Sequence, residues 1–139
     1  MQVGQVVSRQ MATRLVLAGI VIALGLALRL LGYRIGLPFL VVKYGGSVLW
    51  GMMVFWLVGA VLAGRGLRLV VIASGLLAIA VELIRLYHTP WLDDFRATFF
   101  GALLLGRVFS LWNILAYLIG IALALGLERC MGKAVRSEA

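Results

Sequence analysis

The chain alternates between long apolar stretches and short polar ones. Residues 1–13 are mixed and carry Arg9. Leu15–Gly32 is the first apolar stretch, preceded by Arg14 and interrupted only by Arg29. A loop at 33–45 follows, with Arg34, Pro38, Lys43 and a Tyr44-Gly45-Gly46 turn pattern. The second stretch, Gly46–Ala63, carries Trp50 and Trp56, and a basic turn, Gly64–Arg68, leads to the third, Leu69–Leu86. A polar connector at 87–96 holds His88, Pro90, Asp93 and Asp94. Ala97–Gly106 is apolar but only ten residues long, Ser110–Leu127 is the last long stretch, and 128–139 is a charged tail. No stretch repeats another and none is of low complexity.

Eighteen apolar residues rising about 1.5 Å each reach most of the way across a hydrocarbon core of roughly 30 Å. The pattern therefore predicts four transmembrane helices, at about 15–32, 46–63, 69–86 and 110–127. The ten-residue run reaches only about 15 Å. It predicts a half-membrane or interfacial helix at about 95–107, flanked by Arg96 and Arg107, which leaves and returns on one side. The fold class is all-α integral membrane, with 1–139 as a single membrane domain.

Composition agrees: 64% of residues are apolar and mean hydropathy is +1.11, against about 45–50% apolar in soluble domains. Thirteen Lys and Arg against five Asp and Glu give a net charge of +8. The basic residues stand singly between apolar stretches, with no basic run interleaved with aromatics, so nucleic acid is not the expected partner. Anionic lipid head groups are. The lone Cys130 forms no intrachain disulfide. Beside Arg129 it reads as an inert thiol, with juxtamembrane acylation as the alternative. The first apolar stretch is too long for a signal-peptide core and no small-residue cleavage site follows it, so a cleaved leader is not expected.

Four crossings return both termini to one side. Arg9, Arg14, Arg65, Arg68, Arg129, Lys133 and Arg136 lie there, and Arg29, Arg34, Lys43, Arg85, Arg96 and Arg107 lie opposite. With Arg29, Arg85 and Arg96 placed in the membrane's polar edge, the positive-inside rule puts both termini in the cytoplasm. A five-crossing alternative exports the basic tail and ranks second.

Glu82 breaks the third stretch, where an acid costs roughly 2.5–3.5 kcal/mol at a helix centre on insertion scales. Alternation of the spans brings Arg29, Trp50, Glu82, Arg85, Asn113 and Tyr117 to one depth, in the outer third of the core, and Arg96 and Thr98 can join them. Glu82 and Arg85, three apart, share a helix face. Arg29, Arg85 and Arg96 against one glutamate leave surplus positive charge, which an anion on an amphiphile would neutralise. The candidate ligand-binding set is thus Arg29, Trp50, Glu82, Arg85, Arg96, Asn113 and Tyr117. The alternative for the same residues is an intramembrane salt bridge holding helices in register, with snorkelling arginines and an aromatic belt of Trp50, Tyr87, Trp91 and Trp112. No chain of acids crosses the membrane to relay protons. His88 has neither Cys nor a second His beside it, so no metal site or cofactor is expected. Asp93 and Asp94 read as loop residues or as a cap for the short helix. Small residues at Gly19, Ala23 and Ala27 and at Ala116, Gly120 and Ala124 predict that the first and last spans both pack closely, with packing on each other as one arrangement.

The order of these residues resembles a family. Glu82-Leu-Ile-Arg-Leu-Tyr87, Pro90-Trp-Leu, Arg96-Ala-Thr, Gly101, Leu105-Gly106, Phe109 and Trp112-Asn-Ile-Leu-Ala-Tyr117 with Gly120 follow Gly25-Leu-Ala-Leu-Arg29, Pro38, Tyr44-Gly45 and Leu49-Trp50. This is similar to the small bacterial membrane proteins of unknown function related to VanZ, the teicoplanin-resistance protein, over about residues 15–127. The resemblance implies a bacterial cytoplasmic (inner) membrane location and action at the cell envelope, near lipid-linked or surface components. It transfers no catalytic residue. The chain departs from that pattern where Arg85 replaces an expected Gln, and where Gly46 and Asn113 replace expected Asp residues; two acids are lost and a base gained, which favours anion binding.

Three functions follow. The first is a non-enzymatic protein whose outer-leaflet Glu/Arg pocket binds an anionic lipid or lipid-linked amphiphile. The second is an accessory subunit of a larger membrane complex. The third, an enzyme on lipid-linked phosphates with Glu82 or His88 as base, lacks a Ser-His or Cys-His pair or a carboxylate cluster.

Overall fold

Backbone polar groups in lipid have no water to bond, so apolar stretches of this length satisfy them internally as helices. The computed structural model describes residues 2–106 and 108–137, with backbone alone at 103 and 133–137. The expected flanking residue Arg107 lies outside the described residues, as do the side chains of Lys133 and Arg136. The described elements are α1 (Gln2–Leu31), α2 (Phe39–Val61), α3 (Leu67–Ile84), α4 (Pro90–Ala97), α5 (Phe99–Leu104) and α6 (Leu111–Ser137). Four of them, α1, α2, α3 and α6, are long and apolar enough to cross a membrane.

The outer helices run further than the hydropathy suggests. α1 begins at Gln2 and α6 continues through the charged tail. Neither segment contains proline, and a polar helix is stable once its ends reach water or find side-chain partners. A short helix, α5, lies within the 95–107 segment expected to hold one, and a further short helix, α4, precedes it over the polar connector. Pro90 sits in the first turn of α4, where a missing N–H costs nothing. Thr98 is extended and starts α5, its hydroxyl accepting from the Gly101 N–H at 3.0 Å.

α1 and α2 form an antiparallel hairpin along their full length. A Cβ on Gly32 would stand 2.8 Å from Val42, one on Gly45 3.1 Å from Leu28, one on Gly25 3.9 Å from Leu49, one on Gly59 3.1 Å from Arg14, and one on Gly64 3.1 Å from Val7. The seam on α1 is therefore Arg14, Ala18, Val21, Gly25, Leu28 and Gly32, spaced alternately by four and three, the spacing of a coiled-coil seam. α2 in turn packs on α3 and α6, and α3 packs on α6. Phe55, Trp56, Val70, Ala78, Tyr117, Ile121 and Ala124 fill the interior between α2, α3 and α6.

The small-residue expectation holds for α6 and fails for α1. Ala116 and Ala124 are buried, and Gly120 abuts the backbone of α2 at Val48 and Met52, while Gly51 of α2 abuts the backbone of Tyr117. These contacts bring two helix backbones within reach, as glycine allows. On α1, however, Gly19 meets nothing within 4 Å, and Ala23 and Ala27 are exposed. The first and last spans each pack on α2 and not on each other, because the buried seam of α1 lies on a neighbouring face. Arg14 alone reaches α6, where its guanidinium pairs with Glu128 while also donating to the Gly59 carbonyl. That contact places both chain ends at one end of the bundle.

Candidate functional site at the Glu82 network

Val70, Ser74, Ala78 and Glu82 form one buried row on α3, each four residues after the last. Ser74 satisfies its hydroxyl on the Val70 carbonyl at 2.7 Å, within its own helix. Glu82 is fully buried and has no backbone partner within α3. Its carboxylate instead meets groups from α3, α6 and the segment preceding α6. Oε1 accepts from the Ser110 backbone N–H at 2.7 Å and from Asn113 Nδ2 at 3.2 Å. Oε2 accepts from the Tyr117 hydroxyl at 3.1 Å and pairs with Arg85 at 2.6 Å. Ser110 directly precedes α6, so the carboxylate also sits at the positive end of that helix's dipole.

Arg85 closes the network from the other side. It donates to the Tyr117 hydroxyl at 2.8 Å, to the Val108 carbonyl at 3.5 Å and, through Nε, to the Leu105 carbonyl. The chain between α5 and α6 thus lies against the guanidinium. Gly106 has φ +68°, and a Cβ there would be 2.7 Å from Arg85 Cζ, so this position requires glycine on two counts. The Tyr117 ring packs on Trp50 at 4.6 Å between centroids. Trp50 Nε1 is buried with no hydrogen-bond partner among the described residues. Ser47 Oγ lies 3.1 Å from the Lys43 carbonyl and 3.4 Å from Asn113 Oδ1, and its single proton serves one of them at a time.

Glu82, Arg85, Asn113 and Tyr117 are therefore brought together, and Trp50 stacks on them. Arg96 and Arg29 are not. Arg96, on α4, is 3% exposed and pairs with Asp93 at 3.0 Å. It also donates to the carbonyls of Ile84 and Tyr87, capping the end of α3 with positive charge. Arg29 is exposed on the last turn of α1. The surplus of positive charge expected around Glu82 is absent from this network: Arg85 is matched by Glu82, Arg96 by Asp93, and Arg29 turns outward. The reason is geometric, since α1 packs along α2 and does not pack on α3.

Sequence reasoning missed the backbone share of the network. Ser110 N–H and the Leu105 and Val108 carbonyls carry no residue-type signature; Gly106 was the one visible mark. It also missed the pairing of Arg14 with Glu128, although each stands at the edge of an apolar stretch on the side of the termini. His88 faces Asp93 at 3.2 Å on the surface. Among the described residues no three His, Cys, Asp or Glu side chains converge to hold a metal ion.

A profile of the DUF2809 family, described as a protein of unknown function, matches residues 36–121. The chain belongs to this family. The matched segment runs from just before α2 into α6 and contains every residue of the Glu82 network, whereas Arg14, Arg29 and Glu128 fall outside it. No solved structure matches the chain. For this DUF2809 protein, the Glu82 network joins α3, α6 and the α5–α6 connection through a charge-balanced set of bonds. Its oxygens and guanidinium nitrogens are already engaged, so its chemistry is that of a clamp.

Proposed function

We propose that this DUF2809 protein is a non-enzymatic, multi-pass protein of the bacterial cytoplasmic membrane that holds an anionic lipid or lipid-linked amphiphile in the outer leaflet, with both termini cytoplasmic. The observation that carries this reading is a groove of about 370 Å³ between α2 and α6, lined by Tyr44, Val48, Trp112, Leu115, Ala116 and Ile119. Its size lies within the range of small-molecule sites, roughly 300–1,000 Å³. Its lining residues neighbour the network in sequence: Val48 follows Ser47, Trp112 precedes Asn113, and Ala116 precedes Tyr117. The Glu82 network holds α6, one wall of the groove, and Trp50 of α2, the other wall, stacks on its Tyr117. Charge for a head group comes from Lys43, whose exposed ammonium stands 5.2 Å from the Tyr44 ring and 5.7 Å from the Phe39 ring.

Orientation is supported by exposed charge. Arg9, Arg65, Arg68 and Arg129 are exposed at the end bearing the termini, against Arg29, Arg34 and Lys43 at the other. Kinship with VanZ, read from the motif order, is part of the same proposal and favours a role at the envelope. A second reading, an accessory subunit, is favoured by the outward Gly19, Ala23 and Ala27 face of α1, which offers a neighbouring helix a smooth surface.

Native mass spectrometry of protein gently extracted from its own membrane tests both. Retained anionic lipid, lost in Lys43→Gln and Ile119→Trp while folded yield persists, supports the groove. Equal lipid retention in all three sinks it. A stoichiometric protein partner, lost in Ala23→Leu, favours the second reading.

A further inference from the structure

A second groove lies between α3 and α6 at the end of the bundle that bears the termini, the opposite end from Glu82. It measures about 230 Å³ and is lined by Leu67, Arg68, Val71, Ile72, Leu125 and Arg129. Two arginines, from two helices, flank a slot whose other walls are aliphatic. Among the described residues neither Arg68 nor Arg129 forms an ion pair or hydrogen bond, and both are exposed. The contrast with Arg14 at the same end is informative. Arg14 is 4% exposed and neutralised by Glu128, the residue immediately before Arg129. Among the described residues, the acid at this end, Glu128, serves an internal bond and leaves the two groove arginines unmatched.

The geometry points to a binding site for an anionic glycerophospholipid of the leaflet on the termini side, its phosphodiester between Arg68 and Arg129 and an acyl chain along Leu67, Val71, Ile72 and Leu125. A guanidinium presents paired N–H donors matched to phosphate oxygens, and two of them on separate helices converge on one anion without crowding. The aliphatic slot selects a lipid over free phosphate, because phosphate gains nothing from burying that surface. Basic pockets between membrane helices are known to suit anionic head groups on chemical grounds. Because it uses neither Lys43 nor the α2–α6 groove, this site stands or falls independently of the outer-leaflet reading.

The test uses the full chain in nanodiscs of phosphatidylcholine containing a minor fraction of phosphatidylglycerol, with native mass spectrometry reading the lipid that stays bound. Wild type retains phosphatidylglycerol. Arg68→Gln/Arg129→Gln weakens that retention about tenfold or more. Arg9→Gln/Arg65→Gln, which removes the same charge from the same end outside the groove, retains it. Ile72→Trp, which fills the slot without altering charge, also loses it and keeps the test sharp should the arginine variant fold poorly. Equal loss in the two double variants, undiminished retention in both groove variants, or equal competition by inorganic phosphate overturns the site.

Discussion

Tyr117 on α6 donates to the buried Glu82 on α3 at 3.1 Å and accepts from Arg85 at 2.8 Å, so one phenol joins both charges of the network. The bond also spans the α3–α6 interface and stands on the Trp50 ring. Breaking the network at different atoms has different consequences, and these are measurable.

Glu82→Ala leaves Arg85 buried without its counter-charge and orphans the Ser110 and Asn113 donors. Removing one partner of a buried pair costs about 3–5 kcal/mol. Unfolding by sodium dodecyl sulfate titration in mixed micelles should show a large loss of stability in Glu82→Ala and a smaller one in Glu82→Gln, which preserves volume. Wild-type curves for both would show that the pair is not holding the helices.

Tyr117→Phe keeps the ring against Trp50 and deletes only the hydroxyl. The cost expected for orphaning part of a buried network is about 1–3 kcal/mol. Trp50→Phe behaves oppositely: it deletes a buried donor that has no protein partner, so the loss stems from ring size alone and should be the smaller of the two. Thermal unfolding followed by tryptophan fluorescence suits the first variant, and circular dichroism suits the second. A Trp50→Phe loss exceeding that of Tyr117→Phe would contradict the assignment.

Gly106→Ala places a Cβ 2.7 Å from the Arg85 guanidinium at a positive φ. Strain of about 1–3 kcal/mol is expected there. It should appear as faster protease cleavage between α5 and α6, with the far α1–α2 hairpin unaffected. Unchanged cleavage would mean that the connection is not held by Arg85.

Arg14 and Glu128 make a second clamp at the opposite end. Glu128→Leu leaves the buried guanidinium with the Gly59 carbonyl alone and should cost roughly 2–3 kcal/mol, discounted from the fully buried case because Glu128 is partly exposed. Arg14→Met/Glu128→Leu should recover most of that loss, since an apolar pair replaces an ionic one. Additive losses in the double variant would argue against direct pairing.

Arg96→Ala is expected to lower folded yield. Arg96 holds the last carbonyl of α3 at Ile84, the Tyr87 carbonyl beyond it and an acid of α4, so its loss frees all three. Wild-type yield by fluorescence-detected size exclusion would return Arg96 to consideration as a ligand contact.

The sequence by itself determined the four crossings, because apolar length measured against bilayer thickness leaves an uninterrupted helix as the only way to satisfy the backbone. It also determined the common depth of Glu82, Arg85, Asn113 and Tyr117, since alternating spans return to the same face at predictable residues. Depth does not fix azimuth. Arg29 shares that depth and yet turns outward, and the Gly19, Ala23 and Ala27 row lies beside the buried seam of α1, because which face of a helix is covered depends on which neighbour it meets. Only the tertiary structure decided that α2 separates α1 from α3, that backbone groups at Leu105, Val108 and Ser110 complete the network, and that Arg14 crosses to Glu128. Those contacts link positions far apart in the chain through groups every residue possesses, and hydropathy carries no record of them.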